Sequence, residues 1–153
     1  MIRPMRAVAA ALLALALPAA PVFAELPGVA QSLRAVPLTI VTRAAPRRFR
    51  VEVAATPDQQ ATGLMFRRTM PADHGMIFPM DPPRSTSFWM KNTYLPLDLL
   101  FIGPDRRIVR IAADAQPLSL DLIECPEPVA AVLELNGGAA AKLGIAVGDA
   151  VRW

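Results

Sequence analysis

The chain has 153 residues, 54% hydrophobic and 19% charged, with a formal net charge of +3. That length allows one domain with a sizeable core, and a single cysteine excludes any internal disulfide framework. The basic balance is no argument for a nucleic-acid partner, because part of it lies in an N-terminus that is a different kind of sequence from the rest.

Met1 to Arg6 carries two arginines and no acid, Ala7 to Leu17 is an unbroken Ala/Leu/Val run, and Pro18 ends it. Val22-Phe23-Ala24 then supplies an A-x-A-like site. This order predicts a secretory signal peptide over residues 1–24. A transmembrane anchor would need about 20 apolar residues, and Pro18 and Pro21 cut the run short. No cysteine lies near the cut, so no lipid anchor is expected. Cleavage leaves 14 basic and 13 acidic residues, a formal charge of +1. The expected product is periplasmic or secreted, with no stable membrane span.

Residues 25–45 read as a leader and first strand: Glu25 to Arg34 is loose, and Leu38 to Val41 is extended. Residues 46–153 read as a single β domain. Arg43, Arg47, Arg48 and Arg50 form the only basic cluster. With only Phe49 among them they lack the interleaved aromatics of a nucleic-acid surface, and a solvated strand edge is the better reading. Phe49 to Ala55 alternates apolar and polar residues, the period of a half-buried strand. Thr56-Pro57-Asp58-Gln59 predicts a capping box with proline at the first helical position, so a short helix runs to Gly63.

Strand candidates and breakers follow. Gly75 to Phe78 and Thr86 to Met90 are strands separated by a loop at Asp81-Pro82-Pro83. Leu97 to Ile102 and Arg107 to Ala112 flank the Gly103-Pro104-Asp105 turn as a hairpin. Val129 to Leu135 is a further strand. Ala139 to Leu143 is a short helix with Gly144 as its C-cap, and Ala150 to Trp153 closes the chain. Thirteen prolines beyond residue 24 argue against long helices. The expected fold is mainly β, a small antiparallel sandwich or barrel with one or two short helices.

Gly63-Leu64-Met65-Phe66-Arg67, Gly75-Met76-Ile77-Phe78, Phe88-Trp89-Met90-Lys91-Asn92-Thr93, Pro96-Leu97-Asp98 with Phe101, Val132-Leu133-Glu134-Leu135 with Gly138, and the Gly148-Asp149 turn occur in this order. In that set the chain resembles the bacterial and archaeal family called domain of unknown function 192. The match runs from about Val51 to Val151. Ala131 departs from it, standing where the family often has an aromatic. The resemblance implies a compact, mainly β fold of sandwich type, and it implies no activity.

The densest polar block is Lys91-Asn92-Thr93 with Trp89 beside it and Asp98 close behind. An indole face next to donors and acceptors suits a sugar ring or another flat ligand. The same residues also serve structure: Asn and Thr close turns, Trp89 can be core, and Asp98 can pair with Arg67. Glu134 sits between Leu133 and Leu135 and must face away from them. If buried it needs a partner, for which Arg67 and Lys91 are candidates. Were Glu134 and Asp98 to converge, they could act as acid and base on a glycosidic bond.

The five methionines after residue 24 fall between Met65 and Met90, and His74, the only histidine, lies among them. Thioether sulfur plus imidazole suits Cu(I), although Met65, Met76 and Met90 sit in apolar motifs that read as core. Cys125, with acid beside it, reads as an inert structural thiol, and a Cys125–His74 pair has no supporting motif. Asn136-Gly137-Gly138 before a helix could offer N–H groups to an anion.

The leading expectation is an exported, non-catalytic β domain that binds a small ligand or carbohydrate through Arg67, Trp89, Lys91, Asn92, Thr93, Asp98 and Glu134, with no cofactor, metal or nucleic acid. The alternatives are an accessory protein docking onto an envelope partner, a carboxylate-dependent hydrolase and a Cu(I)-binding periplasmic protein.

Overall fold

A computed structural model describes residues 28–153. The predicted signal peptide lies outside the described residues. The elements are β1 (Ala35–Val41), β2 (Pro46–Val53), α1 (Pro57–Thr62), β3 (His74–Phe88), β4 (Leu97–Ile102), β5 (Ile108–Ala115), β6 (Ile123–Asn136), α2 (Ala139–Leu143) and β7 (Ala150–Arg152).

One seven-stranded sheet holds all the strands in the order β5-β4-β6-β3-β2-β1-β7. It curls until its edges meet. Arg107 bridges Ala150, the Val151 N–H donates to the Arg106 carbonyl at 2.8 Å, and the Ile108 N–H donates to the Asp149 carbonyl at 3.0 Å. The mainly β expectation holds in its barrel-like form. A two-sheet sandwich does not form, because each strand finds its neighbours within one curled sheet. All pairs are antiparallel except β2 with β3.

Alternation along the strands produces two cores, since successive side chains point to opposite faces. Inside the curl, Leu38, Ile40, Val51, Ile77, Leu100, Leu133, Leu135 and Val151 pack together, and Ala140 of α2 plugs one end. Outside it, Met76, Phe78, Met90, Leu97, Leu99, Phe101 and Val132 form a second layer, joined by Ala54 and Leu64 from the connections. Ala131, where the family often has an aromatic, is buried against the inner core.

The capping box forms as expected: the Gln59 N–H donates to Thr56 Oγ1 at 3.3 Å, and Thr56 donates its own N–H to Gln59 Oε1 at 3.1 Å. Gly63 ends α1 at φ 48°. The predicted loop at Asp81-Pro82-Pro83 is instead part of β3. The β3–β6 register shifts between Pro79 and Arg84, so both prolines fall where the ladder asks for no N–H donor. β6 is correspondingly longer than expected.

Two expectations for the N-terminal half need correction. Residues 28–34 are not loose: Gln31 Nε2 donates to the Gln59 and Gly63 carbonyls at 2.8 and 2.9 Å, and the Leu33 N–H donates to Glu52 Oε2 at 2.6 Å. The arginine cluster is solvated, and because β2 as a whole runs between β1 and β3 the strand-edge reading holds only for part of it. Only its first residues, before Arg50, lack a strand on the β3 side.

Candidate functional site

Two of the family-like segments meet through their backbones. The Phe66 N–H donates to the Asn92 carbonyl at 2.8 Å, with Phe66 at φ 66° and Asn92 at φ 55°. Asn92 Nδ2 reaches the Met65 sulfur at 3.9 Å. The Thr93 hydroxyl donates to the Lys91 carbonyl at 3.2 Å and closes the turn. This junction and the outer face of β3 enclose a cleft of about 220 Å³.

The cleft has an apolar floor and a polar rim. Leu64, Met65, Phe78, Met80 and Phe88 line its depth, and Phe78 and Phe88 meet edge to face at 5.1 Å. Thr86, Ser87, Thr93, Gln60 and Arg84 supply its polar groups, and Trp89 stands at its side, 45% exposed. Lys91 does not enter. Its Nζ lies over the Trp89 ring, 5.2 Å from the centroid, an arrangement that orients the indole.

Glu134 reaches the cleft from β6. It stands opposite Leu99 of β4 and Met76 of β3, so it shares the outer face with them. It is only 5% exposed, and among the described residues its carboxyl makes no hydrogen bond and no ion pair. Burial pushes its pKa from 4.5 up to about 8. The sequence expectation of a salt-bridged Glu134 is therefore corrected: neither Arg67 nor Lys91 serves it.

Arg67 is committed elsewhere. It forms a two-pronged ion pair with Glu52, both N···O distances 2.7 Å, and a third bond to the Gln31 carbonyl. Burial raises the Glu52 pKa, but hydrogen bonds from Arg67 and the Leu33 N–H more than offset it, and the net shift is downward.

Asp98 is also removed from the candidate set. It stands opposite Leu135 and points to the inner face. Fully buried, it accepts the N–H groups of Asp114, Gly138 and Ala140 at 2.8, 2.9 and 2.8 Å. The anion expected at Asn136-Gly137-Gly138 is thus the protein's own carboxylate. Asp98 and Glu134 lie on opposite faces of the sheet, so the proposed acid–base pair does not assemble.

The other candidates separate as well. His74 and Met80 are six residues apart on one strand, about 20 Å at the usual rise, and Met76, Met80 and Met90 are packed in the outer core. No Cu(I) set forms from them. Cys125 stands opposite Thr86, far along β3 from His74, whose Nδ1 lies 2.8 Å from Asp73. Burial, then Glu127, pushes the Cys125 thiol up, so the inert reading stands on Glu127 instead of Glu124.

The structure therefore brings together Trp89, Thr93 and Glu134, with Lys91 and Asn92 behind them. Sequence reasoning missed Met65, Phe78, Phe88, Thr86, Ser87 and Arg84 as cleft residues. Phe78 and Phe88 stood in motifs read for packing, and the Pro82-Pro83 break hid the fact that one strand carries both.

The model of the family DUF192, described as uncharacterised ACR, matches residues 39–153. Two solved structures are similar. A protein of unknown function from Novosphingobium aromaticivorans DSM 12444 is 45% identical, with 85% of this chain and 94% of that chain covered and a TM-score of 0.79. A protein from Sinorhizobium meliloti 1021, with a suggested role as a transcription regulator, is 43% identical, with 80% and 95% covered and a TM-score of 0.77. No curated protein matches the chain. No helix among the described residues is long and apolar enough to cross a membrane.

Proposed function

The chain belongs to the domain of unknown function 192 family, and we propose that it is an exported, non-catalytic β domain that binds a small carbohydrate in the cleft beside Trp89. The observation that carries this reading is Glu134, whose carboxyl has no partner among the described residues and stands at the wall of a lined cleft. Among the described residues no side-chain polar atom is both fully buried and unpaired, so this carboxyl reaches the cleft, where a ligand group can partner it. The indole offers a flat apolar face, and Thr93, Thr86 and Ser87 offer hydroxyls, the combination that holds a sugar ring. Placing the second carboxylate across the sheet argues against hydrolysis.

Titration calorimetry of the purified protein against cell-wall and glycan fragments tests the binding. Saturable heat that is lost in Trp89→Ala supports it, and absence of heat with every fragment overturns it. Export has its own test: the N-terminus of protein recovered from cells should begin at or near Glu25, and an intact Met1 on cytoplasmic protein would remove that part.

One observation favours docking as a second reading. Trp89, Tyr94, Leu118, Leu120 and Leu122 are all exposed. The Leu118 N–H donates to the Thr93 carbonyl, and the Met90 N–H donates to the Ser119 carbonyl, which draws the two loops side by side. An apolar patch of that kind suits an envelope protein. Affinity capture from envelope extracts with the wild type and with Leu120→Asp decides it: a companion lost in the variant supports docking, and no reproducible companion rejects it. The regulator role suggested for the Sinorhizobium protein is not carried over. Phe49, the one aromatic among the arginines, is buried and offers no face to a base.

A further inference from the structure

The cleft contains a single acid, Glu134, and one cation on its wall, Arg84; among the described residues the other charged groups nearby are engaged elsewhere. From β3 comes Arg84, on the cleft wall, which forms no ion pair with Glu134. Lys91 is drawn onto the Trp89 ring, and Arg67 is held by Glu52. Asp98 lies across the sheet. The nearest neighbours along the ladder, Met76 and Leu99, are apolar.

An ionised carboxylate in that place would lose most of its hydration, with no ion pair or donor among the described residues in return, which penalises the charged form. Retaining the proton avoids it. The neutral acid then presents one O–H donor and one carbonyl acceptor side by side. A ligand hydroxyl is the complement, since it accepts from the first and donates to the second. A ligand carboxylate is not, because it can only accept.

We propose that Glu134 is the specificity-determining residue of the cleft and acts as an uncharged acid, gripping one neutral hydroxyl of a sugar so that this position takes a hydroxyl and not a carboxylate. The inference rests on the ligand-binding reading above. Its direct consequence is pH dependence: the grip is present while the proton is held and is lost as the pH rises through about 8.

The test has a part that needs no ligand. Side-chain 13C NMR of the free protein should show the Glu134 carboxyl titrating near pH 8, and titration below pH 5 overturns the inference whatever the ligand. Calorimetry with glucose, N-acetylglucosamine and maltose supplies the rest. Affinity for the best neutral sugar should be level from pH 6 to 7.5 and fall roughly tenfold per unit above 8. Glu134→Gln keeps a donor and an acceptor, so its binding should lose the pH dependence, while Glu134→Leu should remain folded by thermal melting and lose binding. A wild-type affinity unchanged from pH 6 to 9, or Glu134→Leu binding as wild type, overturns the specificity role while leaving the ligand site standing. A carboxyl that titrates near pH 8 with no sugar bound at any pH overturns the ligand reading and the specificity role with it.

Discussion

At the scale of single residues, three acids of one chain receive opposite treatment. Asp98 is fully buried, yet it has three N–H donors waiting. Replacing it by Asn removes the charge and turns an amide toward those donors, so Asp98→Asn should cost about 2–4 kcal/mol in urea denaturation. Glu52 has a guanidinium. Its lowered pKa means that its stabilisation is present above the ordinary carboxylate range and is lost as pH falls through it. Arg67→Ala should reduce stability at pH 7 by about 1–3 kcal/mol, with a smaller loss at pH 3. Glu134 has no partner among the described residues, and its sign is reversed. The folded protein holds a proton that the unfolded chain releases near pH 4.5, so its contribution is fully present below that value and declines as pH rises through about 8. Between those limits stability should fall by about 1.4 kcal/mol per pH unit from this group. Glu134→Gln should flatten the slope, which denaturation midpoints at pH 5, 6.5 and 8 will reveal.

At the scale of elements, the β3–β6 pair decides where the cleft can form. Gly75 lies opposite Leu135, and a Cβ there would stand 2.5 Å from the Glu134 carbonyl and 2.8 Å from Leu135 Cδ2. The carbonyl belongs to the ladder backbone and cannot swing away. Gly75→Ala should therefore destabilise by about 2 kcal/mol or more, read as a lower urea midpoint, and it should perturb Trp89 fluorescence by moving Glu134. Much of this pairing was legible in the sequence: the capping box at Thr56, the β4–β5 hairpin and the alternation around Glu134 are local patterns with periods of a few residues. The long β3 was not, because Pro82 and Pro83 mimic a loop. Their tolerance depends on a register shift with β6, whose paired residues lie more than forty positions away.

At the scale of the whole molecule, closure of the sheet depends on its last few residues. β7 pairs with β1 through Thr39, Ile40 and Val41, and Val151 enters the inner core. The Arg106 guanidinium covers the Trp153 ring at 3.6 Å. Deleting residues 150–153 should lower the melting temperature by about 5–10 °C and raise amide exchange along β1, while the cleft, on the opposite flank of the sheet, should bind as before. Unchanged β1 protection would show that the seam carries no stability.

Composition and local pattern by themselves determined that this is a small, mainly β domain, with short helices at Pro57–Thr62 and Ala139–Leu143 and Glu134 turned away from its leucine neighbours. Those properties follow from propensity, capping and a two-residue period, which act between near neighbours. The tertiary structure alone decided which charges meet. It gave Arg67 to Glu52 instead of Asp98, spent Asp98 on backbone N–H groups, set Asp98 and Glu134 on opposite faces of one sheet, and left Glu134 without a partner among the described residues. Such pairings depend on which strands become neighbours and on their register, and a shift of one residue would exchange the two faces.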